Sequence, residues 1–337
     1  MVKFESLDPE IRGVLGKKVS ELGLRVEGSP VEAYVSQLYR ELDLRGLKTF
    51  RPVCYLTDEW GCPDQQPVLG IPFYLADPKL RKLEHAVDSL EDERQIMMYM
   101  RHEAGHAFNY AYQFYKSAEW RGLFGPFRRA YRDNYRPIPF SRKFVRHMAG
   151  WYAQKHPDED FAETFAVWLT PRSQWRKRYK DWGALAKLQY VDRIARKIGD
   201  VEPVRRRGRT DITVDEMEST VGEFYHLSLP EEIPVEELAL DTDLADIFNI
   251  SLKRRTGVRP AHEMLSQHRK PIIDKVAYWS GVQRPIVKRL VEAICKRVEE
   301  LGLRVDLRRE SEHLTEFTVY TTALSMNYLT RGKFIHP

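Results

Sequence analysis

Cysteine is scarce in this 337-residue chain, and what there is follows no useful spacing. Cys54, Cys62 and Cys295 are an odd set with no zinc-ribbon pattern. That excludes a disulfide-stapled scaffold and fits a reduced, cytoplasmic protein. Long apolar runs are missing as well: no stretch of about 18 uninterrupted apolar residues occurs, so no membrane-spanning helix is expected. The opening residues, MVKFESLDPEIRGVLGKK, carry acids early and lack the apolar core of a secretory signal. Nor is there a large excess of one charge, since 54 basic residues against 49 acidic ones leave +5. So thin a balance weighs against nucleic acid as a partner. The densest basic run, Arg205–Arg207 with Arg209, lies among Pro and Gly, and a linker or exposed turn explains it as well as a phosphate patch does. What the chain does have is a 42% hydrophobic fraction, enough for a sizeable core, and a length that suggests two domains.

Helical periodicity marks the first 50 residues, with Pro30 opening a helix that runs to Leu44. Phe50–Leu56 and Val68–Leu75 read as extended, separated by a turn-rich patch around Gly61 and Pro63. Pro72 cannot donate a ladder hydrogen bond, which places the second strand at a sheet edge or beside a bulge. Ser89-Leu90-Glu91-Asp92 has the form of a capping box, and the helix behind it is expected to reach Tyr115. Pro157 opens another helix that Pro171 closes, and residues 174–198 look helical too. We place a soft boundary near residue 205, giving a catalytic domain over 1–204 and a mainly helical α+β region of open role over 205–337. In that region helices are expected at 240–253, 270–280 and 284–301, with extended stretches at Leu303–Val305 and Thr315–Tyr320.

The chemistry concentrates in His102-Glu103-Ala104-Gly105-His106. Four residues advance a helix about 400°, so the two imidazoles stand one turn apart and about 40° from alignment. That arrangement suits two ligands of one tetrahedral zinc. Glu103 lies about 100° round from His102, where it flanks a metal without binding it and can take a proton from an attacking water. Downstream, Glu159 and Glu163 share one face of the helix that begins at Pro157. One can be the third ligand, which we take to be Glu159, while Glu163 accepts the free N–H of a ligand histidine. Asp158 and Asp160 read as acids complementing the helix N-terminus. Elsewhere His262-Glu263 begins the same pattern, but position 266 is Ser and the second ligand is missing.

These two segments resemble the gluzincin metalloproteases, whose third ligand is a glutamate on a second helix. The likeness is nearest to a bacterial family of zinc-binding metallopeptidases and extends more distantly to the catalytic domain of the anthrax lethal factor. In those proteins a segment E-x-x-A-E-x-F/W follows the histidine motif, and Glu159-Asp160-Phe161-Ala162-Glu163-Thr164-Phe165 matches it. The lethal-factor-like pattern adds a tyrosine seven residues before the glutamate ligand, here Tyr152, which would donate a hydrogen bond to the oxyanion. The resemblance covers about residues 50–170 and implies an α+β fold with a zincin-like core: a small sheet beside the active-site helix. The metzincin branch is not matched, since its extra glycine and third histidine are absent.

The expected activity is therefore zinc-dependent hydrolysis of a peptide or protein substrate, with Glu103 as general base. By analogy with zincins, the segment with Gly70, Ile71 and Phe73 is expected to pair with an extended substrate as an added strand. Two other readings stay in view. One is a zinc-stabilised interaction module without protease activity, which has no need of Glu103. The other is a nucleic-acid-associated protein using Arg205–Arg209 and basic residues such as Lys253, Arg254, Arg269 and Lys270, although no stacking aromatics cluster there.

Overall fold

Ser29 and Pro30 start α1 (Pro30–Leu44), with the serine hydroxyl accepting from the Val31 amide. The helix buries Val31, Val35, Leu38 and Leu42 at three/four spacing. Two short strands follow, β1 (Val53–Thr57) and β2 (Val68–Pro72), paired in parallel with Tyr55 opposite Gly70. β2 is buried along its whole length, as expected of a strand covered on both faces. This computed structural model describes residues 13–87, 90–131, 135–227, 240–248, 257–282 and 284–331.

The open substrate edge expected at Gly70, Ile71 and Phe73 is not what the structure shows. The 58–67 connection folds back on β2, so that Gly70 N–H donates to Gly61 O (2.7 Å) and Gly61 N–H to Gly70 O (3.4 Å). A Cβ on Gly70 would lie 2.7 Å from the Thr57 methyl, so only glycine fits between its neighbours. After Pro72 the chain turns into a 3-10 segment (Phe73–Ala76), which takes Phe73 out of the strand. Ile71 and Phe73 are 1% and 0% exposed. Their apolar surface goes to the core, and Gly70 has spent its backbone groups on Gly61.

α2 (Pro78–Val87) leads to α3 (Glu93–Tyr112), which carries the histidine motif. Its cap is Asp92, in a reciprocal capping box with Gln95. The expected cap, Ser89, lies outside the described residues. The helix stops at Tyr112 rather than Tyr115 because Gln113 turns left-handed, with φ of 56°. Then come α4 (Ala118–Phe124), capped by Ser117, and α5 (Pro157–Leu169), which opens at Pro157 as its sequence predicts. The helical reading of 174–198 resolves into a single turn at Trp175–Arg178 and α6 (Ala184–Ile198). A last helix, α7 (Val221–Leu227), completes this part.

The chain divides into Met1–Leu229 and Pro230–Pro337, not near residue 205. The reason is in the backbone. Arg205 N–H donates to Ala111 O (2.9 Å), the Thr57 hydroxyl to Ile212 O (2.7 Å) and Val19 N–H to Ser219 O (3.1 Å). The basic run is thus docked chain of the first part rather than a linker.

The second part has α8 (Asp241–Ile247), β3 (Val258–Pro260), α9 (Ala261–Ser280), α10 (Arg284–Glu300), β4 (Arg304–Asp306) and α11 (Glu310–Arg331). β3 and β4 are antiparallel. Thr315–Tyr320, expected to be extended, is helical within α11. Phe317, Thr321 and Leu324 recur at helical spacing and are fully buried, and that packing overrides the β preference of Thr, Val and Tyr. The threonine hydroxyls are satisfied inside the helix, as Thr321 donates to Phe317 O at 2.8 Å. The whole is helix-rich with two small two-stranded sheets among the described residues.

Candidate metal centre

α3 and α5 meet at Gly105. A Cβ there would stand 2.7 Å from Ala162 Cα and 2.9 Å from its carbonyl oxygen, so the helices touch backbone to backbone. Phe108 packs on Phe165 one turn on, with ring centroids 4.9 Å apart. This close crossing lets side chains from two helices converge on one point.

His102 Nε2 lies 3.0 Å from Glu159 Oε2, His106 Nε2 lies 3.2 Å from the same oxygen, and the two Nε2 atoms are 3.1 Å apart. All three residues are buried and their donor atoms form a group that can hold a metal ion. Ligands at about 2.0–2.1 Å around a tetrahedral zinc stand about 3.3 Å from one another, close to this triangle. The opposite ring nitrogens decide the argument. His102 Nδ1 is 3.0 Å from Glu163 Oε1, and His106 Nδ1 is 2.7 Å from Asp158 Oδ2. Those carboxylates hold the proton on Nδ1, leaving both Nε2 lone pairs facing each other and a carboxylate oxygen. Three acceptors at such distances need a positive centre between them, either a proton or a metal ion.

Proton affinities follow the same logic. Burial presses the His102 imidazolium down, but Glu159 and Glu163 outweigh it and lift the group to about 9. Burial likewise opposes charge on His106, which Asp158 and Glu159 nonetheless raise well above its ordinary value. Burial alone would raise the Glu159 carboxyl, yet the two imidazoles hold it well below the usual carboxylate range.

Glu163 is anchored from behind, its Oε2 accepting the backbone N–H groups of His147 (3.3 Å) and Met148 (3.0 Å). Asp158 stands in the first turn of α5, but its side chain does more than complement a dipole. Besides His106 it accepts from Asn109 Nδ2 (2.7 Å) and the Tyr110 hydroxyl (2.5 Å). The sequence holds a signal for this: two ligand histidines need two Nδ1 acceptors, and Glu163 supplies only one. Asp160 turns away and meets Lys187 Nζ at 2.5 Å; burial pushes its carboxyl up to about 7 against the pull of that ammonium.

Glu103 is buried one position along from His102 and lines a cleft of about 1300 Å³. Among the described residues its carboxylate accepts no hydrogen bond. Burial raises its proton affinity, with the two histidines opposing. Tyr152 packs its ring 5.6 Å from that of His102, beside Gly150 and Trp151, whose φ angles are 85° and 46°. A left-handed tryptophan is strained backbone, retained here next to the cleft. Burial, then Glu159, keeps the Tyr152 phenol protonated. Tyr131 was not singled out in the sequence. Its hydroxyl donates to Glu159 Oε1 (2.6 Å) and lies 3.3 Å from that of Tyr152, while Lys155 Nζ sits 4.4 Å above its ring. No periodicity marks it, because it comes from irregular chain. Gly70 reaches the cleft only through Gly61, which lines it.

A protein-family model described as "Putative zinc-binding metallo-peptidase" matches residues 66–203. Over that stretch the chain resembles a zinc peptidase. The match contains α3, α5 and the chain between them, hence every residue of the donor triangle. No curated protein and no solved structure matches the chain. Among the described residues, no helix is long and apolar enough to cross a membrane.

Proposed function

We propose that the protein is a zinc-dependent metallopeptidase of the gluzincin kind with a zincin-like core, cleaving peptide bonds in the cleft over His102, His106 and Glu159. The observation that carries this is the triangle of His102 Nε2, His106 Nε2 and Glu159 Oε2, with the opposite nitrogens of both rings held by two further carboxylates. Zinc bound by such a set supplies Lewis acidity and lowers the pKa of a water ligand towards about 7. Glu103, with raised proton affinity and no protein hydrogen bond, receives the proton of the attacking water and returns it to the leaving amine. Tyr152 stays protonated beside His102 and donates to the developing oxyanion, a contribution of about 3–4 kcal/mol in comparable sites. Asp158 and Glu163 hold the two rings in the tautomer that leaves Nε2 free. The position of Tyr152 seven residues before Glu159 supports the lethal-factor-like comparison, and free cysteines at 54, 62 and 295 fit a reducing cytoplasmic setting.

Elemental analysis and a peptide-cleavage assay on wild type, Glu159→Ala and Glu103→Gln test the reading together. Near-stoichiometric zinc should fall in Glu159→Ala and persist in Glu103→Gln, with cleavage lost in both. Zinc retained without any cleavage by the wild type would favour the interaction-module reading, and zinc indifferent to Glu159 would end the proposal.

A further inference from the structure

The two carboxylate oxygens of Glu159 have different neighbours. Oε2 faces the Nε2 atoms of His102 and His106 at 3.0 and 3.2 Å, whereas Oε1 lies 2.6 Å from the hydroxyl of Tyr131. The imidazoles keep this carboxyl ionised, and an ionised carboxylate can only accept. Tyr131 is therefore the donor, and its oxygen is left to accept the Tyr152 hydroxyl 3.3 Å away. Among the described residues no other group donates to Oε1.

That hydroxyl is held in place although 51% of the tyrosine is exposed. Lys155 Nζ sits 4.4 Å from the ring centroid, and the centroid of the His156 ring lies 5.4 Å from it. His156 Nδ1 accepts the Asp158 amide (3.2 Å), so the ring proton is on Nε2 and is donated to the Arg129 carbonyl (2.8 Å). Arg129 is two residues before Tyr131, and His156 is the cap of α5, three residues before Glu159. One histidine thus ties the chain entering Tyr131 to the helix that carries Glu159. Phe127 adds a second hold, stacked on Tyr115 with centroids 4.3 Å apart.

A carboxylate can meet a metal ion through one oxygen or through both. Catalytic zinc sites keep one position free of protein, and a second oxygen from Glu159 would compete for it. To turn towards the donor triangle, Oε1 must first give up the Tyr131 hydrogen bond. Resting on the peptidase reading, we propose that Tyr131 is a positioning residue: its hydroxyl holds Oε1 and keeps Glu159 a one-oxygen ligand, so that the position for the attacking water stays open.

Zinc has a filled d shell and gives no visible spectrum, so the test loads the full chain with cobalt(II). Its visible bands are intense in four-coordinate sites and weaken as ligands are added, which makes them a report on geometry. Tyr131→Phe keeps the ring and removes only the hydroxyl, whereas Tyr131→Ala removes both. In both variants the absorption per bound cobalt should fall at least twofold below wild type. A Tyr131→Phe spectrum identical to wild type would overturn the inference. So would a change confined to Tyr131→Ala, which would assign the effect to the ring. The wild-type protein separates the two claims. Cobalt bound by no form of the protein removes the metal reading and the inference with it. A weakened spectrum in Tyr131→Phe without peptide cleavage by zinc-loaded wild type keeps the inference and sinks the peptidase reading. Cleavage with an unmoved spectrum does the reverse.

Discussion

Replacing Gly105 with alanine is the most direct probe of how the two motif helices share one site. Alanine is the better helix former by about 1 kcal/mol, so at an open helical position the change would stabilise. Here the new methyl would lie 2.7 Å from Ala162 Cα and 2.9 Å from its oxygen, where carbon contacts normally stand at about 3.5–4.0 Å. Backbone atoms have no rotamer to give way, so α3 and α5 must separate by about 1 Å at the crossing. Overpacking of this sort costs about 3 kcal/mol at the upper end of its range, leaving a net loss near 2 kcal/mol after the propensity gain. For a domain of this size that lowers Tm by about 4–8 °C. The donor atoms are split between the same helices, and Glu159 Oε2 is only 3.0 and 3.2 Å from the two nitrogens. Zinc affinity, measured by competition with a chelator, should fall at least tenfold. Gly122→Ala in α4 is the control: its methyl meets nothing within 4 Å, and it should leave Tm unchanged or raise it. A Gly105→Ala protein that melts at or above wild type with undiminished zinc affinity would refute the argument.

Asp158→Asn and Glu163→Gln should each weaken zinc binding by about 10–100-fold while leaving zinc bound at high concentration, because they orient rings rather than ligate. An unchanged dissociation constant in chelator competition would count against them. Since the metal-free protein keeps a proton on His102 up to about pH 9, loading at pH 7 must release at least that proton. The sign is that acid favours the proton over the metal, so apparent zinc affinity falls about tenfold per pH unit for each proton displaced. Calorimetry in buffers of different ionisation enthalpy counts the protons, and a pH-independent affinity between 6 and 8 would contradict it. Finally, Glu41 and Arg101 form a buried bidentate pair at 2.7 Å just ahead of the motif, so Glu41→Gln should cost about 3–5 kcal/mol in chemical unfolding. Glu119→Gln, which breaks an exposed pair with Arg193, should cost below about 1 kcal/mol.

What could be read in the sequence was what depends on near neighbours. Pro30 and Pro157 set helix starts, and the spacing of His102 with His106 and of Glu159 with Glu163 fixes which side chains share a face. The close approach at Gly105 needed the second helix to be in place. So did the choice of Asp158 for His106, which follows from how far α5 is rotated against α3. Gly70 looked like a free edge because nothing local shows that residues 58–67 fold back onto it. Tyr131 comes from irregular chain without periodicity, and it enters the site only through long-range packing. Thr315–Tyr320 shows the converse, where local β preference yielded to a buried helical stripe.

Glu163 serves two parts of the site at once. One of its oxygens receives the His102 ring and the other receives the amides of residues 147 and 148, just before the strained turn that sets Tyr152. The ring and the loop are thus held by the two oxygens of one side chain. Loss of this carboxylate is therefore expected to free the His102 ring and the 147–148 backbone together, one change reaching both the donor triangle and the chain that carries Tyr152.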